Sequence, residues 1–166
     1  MTNRRLHARI LRVPRPPVAS SPAVRAVMRA NRAKGTGPEL ALRRALSALG
    51  VRGYEAQPSN LPGRPDFVFR RARLAIFVHG CFWHRHGCRK GSSRLPRANR
   101  EYWKVKFRLN VQRDQRKMEA LLAKGWFVLV IWECEIKNDP KVCAARVDLR
   151  RHTLTNVGLR SKDVSS

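Results

Sequence analysis

The sequence predicts an α/β fold, in which a mixed sheet is flanked by helices, and three observations support this class. An apolar run at 126–132 is typical of a strand that is covered on both faces. Apolar runs on either side of the basic segment 70–73 predict a β-hairpin. Helical patterns at 38–49 and 99–124 alternate with these strands along the chain, as in proteins that pack helices on a sheet.

The first helix is predicted over 38–49, because its apolar side chains recur at the spacing of one helix face. Thr36 is the expected N-cap and Gly50 the expected stop. A short strand is expected next, at 51–57. The apolar face of the helix consists of Leu42, Ala45, Leu46 and Leu49.

The hairpin follows a rigid turn of proline and glycine residues at 61–65. If Phe69 faces Leu74 across the hairpin, Asp66 lies at the open end, with its carboxylate beside Val78. Polar residues that follow the second strand would then collect at this end of the sheet.

A second helix is predicted over 99–124, and Gly125 ends it. The apolar strand at 126–132 is expected at the centre of the sheet. One side of the helix is expected to be apolar, with Trp103, Phe107, Val111, Met118 and Leu122 along it.

Composition and apolar periodicity divide the chain into three parts. Residues 1–24 form a basic arm, rich in arginine and proline, that is expected to be disordered. Residues 25–137 form the predicted domain, and 138–166 form a basic segment that is partly ordered at most. No apolar run approaches the roughly 20 residues that span a membrane.

The charge of the chain favours a polyanionic partner. There are 36 Lys and Arg residues against 11 Asp and Glu, which gives a formal net charge of +25. Nucleic acid is the strongest candidate, because each neutralised phosphate releases counterions. Without a secretion signal, the four cysteines are expected to be reduced, which favours metal binding over disulfides.

The segment 79–88 contains three of the five histidines and two of the four cysteines. Spacing alone leaves open whether His84 or His86 would bind a metal. Three cysteines would complete a Cys3His set of the kind that holds structural Zn²⁺: Cys81, Cys88 and Cys134.

A second site is expected at the open end of the hairpin, where Asp66 and the backbone of Val78 would offer oxygen ligands to Mg²⁺. A metal ion there would polarise a phosphate and activate water. His79 and His84 would transfer protons near neutral pH. Glu39 of the first helix is a further candidate, although its spacing from the expected N-cap equally fits a capping box.

Five strings of the sequence, in their order and spacing, resemble the very-short-patch mismatch repair (Vsr) endonuclease family. The resemblance covers about residues 25–137. The strings are Thr36-x-x-Glu39, Leu61-Pro-Gly-Arg-Pro-Asp66-Phe67, Ile76-Phe77-Val78-His79-Gly-Cys81-Phe-Trp-His84 with His86 and Cys88, Asn110-Val-x-Arg113-Asp114, and Gly125-Trp126…Val130-Ile131-Trp132-Glu133-Cys134.

Membership would imply a restriction-endonuclease-like fold with a structural zinc. The reaction would be a Mg²⁺-dependent nick on the 5′ side of the thymine of a T·G mismatch in double-stranded DNA. Such mismatches arise when 5-methylcytosine deaminates, which implies a cytosine methyltransferase in the same genome. The protein would be a monomer in the bacterial cytoplasm, bound to nucleoid DNA, with a mismatch-repair protein as a further partner.

The resemblance also implies roles for individual residues. Asp66 matches the metal carboxylate, and Val78 matches the position whose carbonyl completes that site. His79 and His84 match the catalytic histidines, and Glu39 would support His84. The implied zinc ligands are Cys81, His86, Cys88 and Cys134.

The implied DNA contacts are mostly aromatic. Phe82, Trp83 and Trp103 match residues that wedge beside the mismatch from the major groove. Met28 matches an apolar residue that an N-terminal helix inserts from the other groove, and Asn110 matches a polar position facing the site.

Two alternatives stay open from the sequence. The chain could be a strand-specific nickase, linked to a restriction–modification system, that cuts unmismatched sites. It could also be a zinc-stabilised DNA-binding module without catalysis. The family often has threonine where Val78 stands. The segment 89–99 is particular to this chain, so the resemblance implies no preference for flanking bases.

Overall fold

The computed structural model describes residues 35–92 and 95–163, with side chains up to 156, and a few single positions before 35. Met28 and most of the predicted arm lie outside the described residues. The helices are α1 Gly37–Ala48, α2 Arg100–Leu122, α3 Glu133–Asn138 and α4 Pro140–Asp163, and the strands are β1 Glu55–Ala56, β2 Phe67–Phe69, β3 Leu74–His79 and β4 Phe127–Trp132. Within the described residues, no helix combines the length and hydropathy needed to cross a membrane.

The four strands form one mixed sheet in the order β1-β2-β3-β4. β2 and β3 form the predicted hairpin, and the predicted pairing of Phe69 with Leu74 is confirmed. β3 and β4 are parallel, with His79 opposite Trp132. The expectation that β4 is central is wrong for the sheet of described residues, where β4 is an edge strand. Side chains of β4 nevertheless pack on both faces of the sheet, Leu129 and Ile131 on one and Val128 and Val130 on the other, which accounts for an apolar edge strand.

The core has one cluster of side chains on each face of the sheet. On one face, α1, α3 and α4 pack against alternate strand residues, such as Ile76 and Ile131. On the other face, Leu121 of α2 packs against Val68, Ala75 and Phe77. Strands buried on both faces and covered by helices make a three-layer α/β/α domain.

The C-terminal segment differs from its prediction, because 140–163 form the helix α4 rather than a partly ordered tail. Its buried residues are mostly small and stand among basic residues, so the apolar periodicity that would predict a helix is weak in the sequence. They complete the core against α1: Cys143, Ala144, Val147 and Leu154.

The predicted apolar side of α2 is also partly wrong, because Val111 and Leu122 are 43% and 56% exposed. Burial instead falls on Tyr102, Phe107, Asp114 and Leu121. Asp114 lies among the residues that face the sheet, so this face of the helix is polar in its middle. The predicted apolar face of α1 is buried except at Leu49, which is the exposed C-cap of the helix.

Candidate active site and metal centre

The first part of the site lies where the hairpin opens. The turn before β2 closes with a hydrogen bond from the Arg64 N–H to the Leu61 carbonyl, 3.2 Å long. Asp66 follows this turn, and its N–H donates to the carbonyl of Ile76. One carboxylate oxygen of Asp66 accepts a 2.7 Å hydrogen bond from the N–H of Val78. The structure therefore brings Asp66 and the Val78 backbone together.

The Asp66 carboxylate is in an environment that a cation would stabilise. Burial raises the pKa of Asp66 to about 6, and the negative charge of Glu39 acts in the same direction. The Val78 N–H, His84 and Lys117 act in the opposite direction. A partly buried carboxylate under the influence of a second carboxylate suits a hard divalent cation such as Mg²⁺.

His79 and His84 form the second part of the site. Their rings stack with centroids 4.0 Å apart and planes only 8° from parallel. Burial and the neighbouring His84 lower the pKa of His79 to about 4, so His79 is a neutral imidazole at neutral pH. Nδ1 of His84 is hydrogen-bonded to a carboxylate oxygen of Asp114.

The ligand atoms of His79, His84 and Asp114 lie within 4.8 Å of one another. Nitrogen lone pairs lie in the plane of an imidazole ring, and the two rings occupy parallel planes, so one ion cannot lie in line with both. The three residues therefore form a hydrogen-bonded His84–Asp114 pair with His79 stacked on it, and their geometry does not suit a metal ion.

Glu39 is held by hydrogen bonds at the N-terminus of α1. Its carboxylate accepts hydrogen bonds from the Gly35 N–H, the Thr36 hydroxyl and the Gln57 amide, all between 2.7 and 3.0 Å. The carboxylate that bonds His84 is that of Asp114, and support of His84 by Glu39 stays a prediction. Gln57 links Glu39 to Asp66, because its side-chain amide donates to Glu39 and its backbone N–H donates to the Asp66 carbonyl.

A metal-binding group lies beside this site. Nδ1 of His86 is 3.8 Å from Sγ of Cys81 and 3.4 Å from Sγ of Cys134. With Cys88, all four ligand atoms lie within 4.8 Å of one another. The structure thus brings the three predicted cysteines together with His86, while His84 is engaged with Asp114.

Two backbone features shape the metal-binding loop. A hydrogen bond from the Gly91 backbone N–H is the largest influence on Cys88, and it helps to lower the pKa of that thiol to about 6, which favours the thiolate that binds metal. A Cβ atom at Gly91 would overlap the His86 carbonyl and lie 2.8 Å from the carbonyl oxygen of Cys81. Only glycine allows this close approach.

The predicted wedge residues form one half-buried aromatic cluster. The ring of Phe82 lies 5.2 Å from Trp83 and 6.2 Å from Trp103. The ammonium of Lys106 is 5.6 and 5.5 Å from the centroids of the same two tryptophans. Asn110 donates a 3.3 Å hydrogen bond to the carbonyl of Trp83, so it holds the loop that carries the cluster.

Three residues near these centres have no role in the sequence-based assignment. Asp114 bonds His84, and Lys117 lies 4.0 Å from Asp114. Trp132 stacks on His86 at 4.2 Å and meets the ring of His79 edge-on at 5.4 Å. The sequence does carry a signal for Asp114 and Lys117, because they follow Asn110 at i+4 and i+7. This spacing places them on the same face of α2 as Asn110.

Comparison with known proteins agrees with this site. The family described as DNA mismatch endonuclease Vsr matches residues 20–90. The chain is 48% identical over 114 residues to the type II nicking enzyme V.XorIIP of Xanthomonas oryzae pv. oryzae, covering 69% of this chain and 82% of that protein. It is 40% identical over 115 residues to DNA mismatch endonuclease Vsr of Escherichia coli K12, covering 69% and 72%.

A third relative, the type II nicking enzyme V.NaeI of Lentzea aerocolonigenes, is 41% identical over 133 residues, which are 75% of each chain. Identity at this level over most of both chains confirms the resemblance, and the mixed sheet between helices is the restriction-endonuclease-like fold. The chain therefore belongs to the DNA mismatch endonuclease Vsr family and is a DNA endonuclease.

Proposed function

We propose that this chain is a Mg²⁺-dependent endonuclease that nicks duplex DNA on the 5′ side of the thymine in a T·G mismatch. The observation that carries the proposal is the convergence of Asp66, His79, His84 and Asp114 at one end of the sheet. The substrate would be DNA in which 5-methylcytosine has deaminated. The enzyme would act as a monomer in the bacterial cytoplasm, with a mismatch-repair protein as partner.

In this proposal, His84 accepts a proton from the attacking water. Its Nδ1 is held by the carboxylate of Asp114, which fixes the tautomer with a proton on Nδ1 and leaves Nε2 as the acceptor. The neutral ring of His79 stacks on His84 and holds the plane of that imidazole. These contacts pre-organise the base before DNA binds.

Asp66 and the Val78 carbonyl would hold the Mg²⁺ ion, with Glu39 contributing negative charge nearby. When bound, this ion polarises the phosphate and lowers the pKa of water. The hydrogen bond from the Val78 N–H keeps the Asp66 carboxylate fixed at the end of the hairpin. The same backbone segment carries His79, so the ligands and the histidines are held in one register.

We also propose that the Cys3His group binds a structural Zn²⁺ ion, because three thiolates and one imidazole are a common tetrahedral ligand set. The ion would connect the 81–88 loop to the start of α3. Purified protein should contain about one zinc per chain. Cys88→Ala should lose the zinc and the fold, whereas Cys143→Ala, outside the cluster, should keep the zinc. A metal-free protein with the full fold would contradict this.

DNA distortion would be sensed by the aromatic cluster. A mismatch lowers the cost of unstacking, which is a few kcal/mol per base step in ordinary DNA. Phe82, Trp83 and Trp103 would wedge beside the mismatch from the major groove, with Met28 on the other side. Asn110 would fix the loop that presents Trp83.

A second candidate is nicking of unmismatched sites, and the names of the relatives support it, because several are type II nicking enzymes. Three duplexes of one sequence, with a T·G, A·T or G·C pair at the same position, separate the two functions. Each is end-labelled on one strand and incubated with Mg²⁺ or with a chelator.

We expect one nick, 5′ to the mispaired thymine, only in the T·G duplex and only with Mg²⁺. Equal cutting of the matched duplexes would favour the second candidate. Asp66→Asn should bind the T·G duplex and not cut it, because the metal loses its charged ligand. A fully active Asp66→Asn variant would refute the assigned site, and binding without any cutting by the unmodified chain would favour a non-catalytic module.

A further inference from the structure

Lys117 places an ammonium group inside the candidate active site. It lies one turn after Asp114 on α2, and its Nζ is 4.0 Å from a carboxylate oxygen of that residue. Its side chain is one-third exposed, at 33%. Its positive charge acts to lower the pKa of both Asp66 and His79, so the ammonium group acts on both parts of the site.

The stem of Lys117 is held by the turn that precedes Asp66. A Cβ atom at Gly63 would lie 2.9 Å from Cβ and 3.1 Å from Cγ and Cδ of Lys117. Gly63 also has a φ of +76°, so it is glycine both for the turn and for this close approach. The aliphatic stem is therefore packed along the turn, and the ammonium group has less freedom than a surface lysine.

The charge of the site calls for a fixed cation. Asp66 is affected by the negative charge of Glu39, Asp114 adds a carboxylate beside His84, and a phosphodiester adds a further negative group when DNA enters. Arg113 is within 3.8 Å of Asp114, but its side chain is 56% exposed and thus more strongly solvated. Lys117 is the more buried of the two cations, so its charge is less screened by water.

We propose that Nζ of Lys117 contacts a non-bridging oxygen of the scissile phosphate and stabilises the charge that develops there during hydrolysis. A cation held in a partly buried site needs little reorganisation during the reaction. This inference rests on the proposed function, because it requires a phosphodiester next to Asp66.

The test compares Lys117→Gln with Lys117→Arg and with a matched control, Lys124→Gln. Lys124 is exposed and precedes β4, at the opposite end of the sheet from His79. Single-turnover nicking of the T·G duplex is measured at saturating protein, and Kd is measured separately in the presence of a chelator. Thermal unfolding is recorded for each protein.

We expect Lys117→Gln to nick about 100-fold more slowly, with Kd changed by less than about 3-fold. Lys117→Arg should recover most of the rate, and Lys124→Gln should match the unmodified chain. Equal rates for Lys117→Gln and the unmodified chain would overturn the inference and leave the proposed function intact. So would a loss shared by the Gln and Arg variants together with a lowered unfolding midpoint, since that indicates a structural role. An unmodified chain that nicks no duplex would overturn the proposed function itself.

Discussion

Asp114 is the residue on which the proton chemistry of the site depends most directly. It is buried, and its carboxylate makes the hydrogen bond to Nδ1 of His84. Two basic side chains of α2, Arg113 and Lys117, lie within 4.0 Å of it. Burial acts to raise the pKa of Asp114, but the hydrogen bond and charge of His84, with smaller contributions from His79 and Arg113, lower it below its usual value, so the carboxylate stays charged.

Asp114→Asn should lower the single-turnover nicking rate by about 100-fold or more, because an amide can donate to Nδ1 and stabilise the wrong tautomer of His84. DNA affinity should stay unchanged. The control is Asp148→Asn, which removes a carboxylate from α4, on the other face of the sheet. An Asp114→Asn enzyme with the full rate would show that His84 is not the base.

The residues of the site differ in how well the sequence reveals them. Asp66 stands directly before a predicted strand. His79 and His84 lie in the segment 79–88, which is rich in histidine and cysteine, and this draws attention to them. Asp114 lies in a charged stretch of a long helix, where an acidic residue is most often a solvated one. Its spacing from Asn110 places it on the same face of α2, but its role follows from the contact with His84, thirty positions earlier in the chain.

At the scale of elements, the metal-binding loop is held by backbone contacts as well as by its ligands. His86 N–H donates to the carbonyl of Cys81, and Ser92 N–H donates to that of Cys88. An ion pair of 2.6 Å between Lys90 and Glu133 connects the loop to α3. These contacts bring Gly91 against the ligand backbone.

Gly91→Ala should weaken the loop, because the new methyl group overlaps the backbone of His86. We expect a loss of about 1–3 kcal/mol in the free energy of unfolding and weaker zinc retention against a chelator. Gly87→Ala is the matched control in the same loop, since a Cβ there meets nothing within 4 Å. If both variants release zinc at the same rate as the unmodified chain, the close approach at Gly91 has no role.

Elements with a wide apolar face could be predicted from the sequence, and a helix with a narrow buried face could not. α1, the hairpin and α2 follow apolar spacing and turn residues, and their predicted positions are within a few residues of the structure. α4 packs through alanine, cysteine and valine against α1, and this close contact needs little apolar side-chain volume. β4 shows that an apolar run reports burial of both faces and not the number of neighbouring strands.

At the scale of the whole molecule, a net charge of +25 should dominate binding to DNA of any sequence. The logarithm of the association constant should fall linearly with the logarithm of salt concentration. The loss should be about 1,000-fold or more between roughly 50 and 200 mM salt. Fluorescence anisotropy with matched and T·G duplexes should give the same slope for both, because phosphate contacts carry the charge effect. A flat response would mean that the basic side chains do not contact DNA.

Trp132 connects the histidine pair to the metal-binding group, because its indole stacks on His86 and meets the ring of His79 edge-on. We therefore expect any rearrangement of the metal-binding group that moves His86 to reach His79 through this one indole ring.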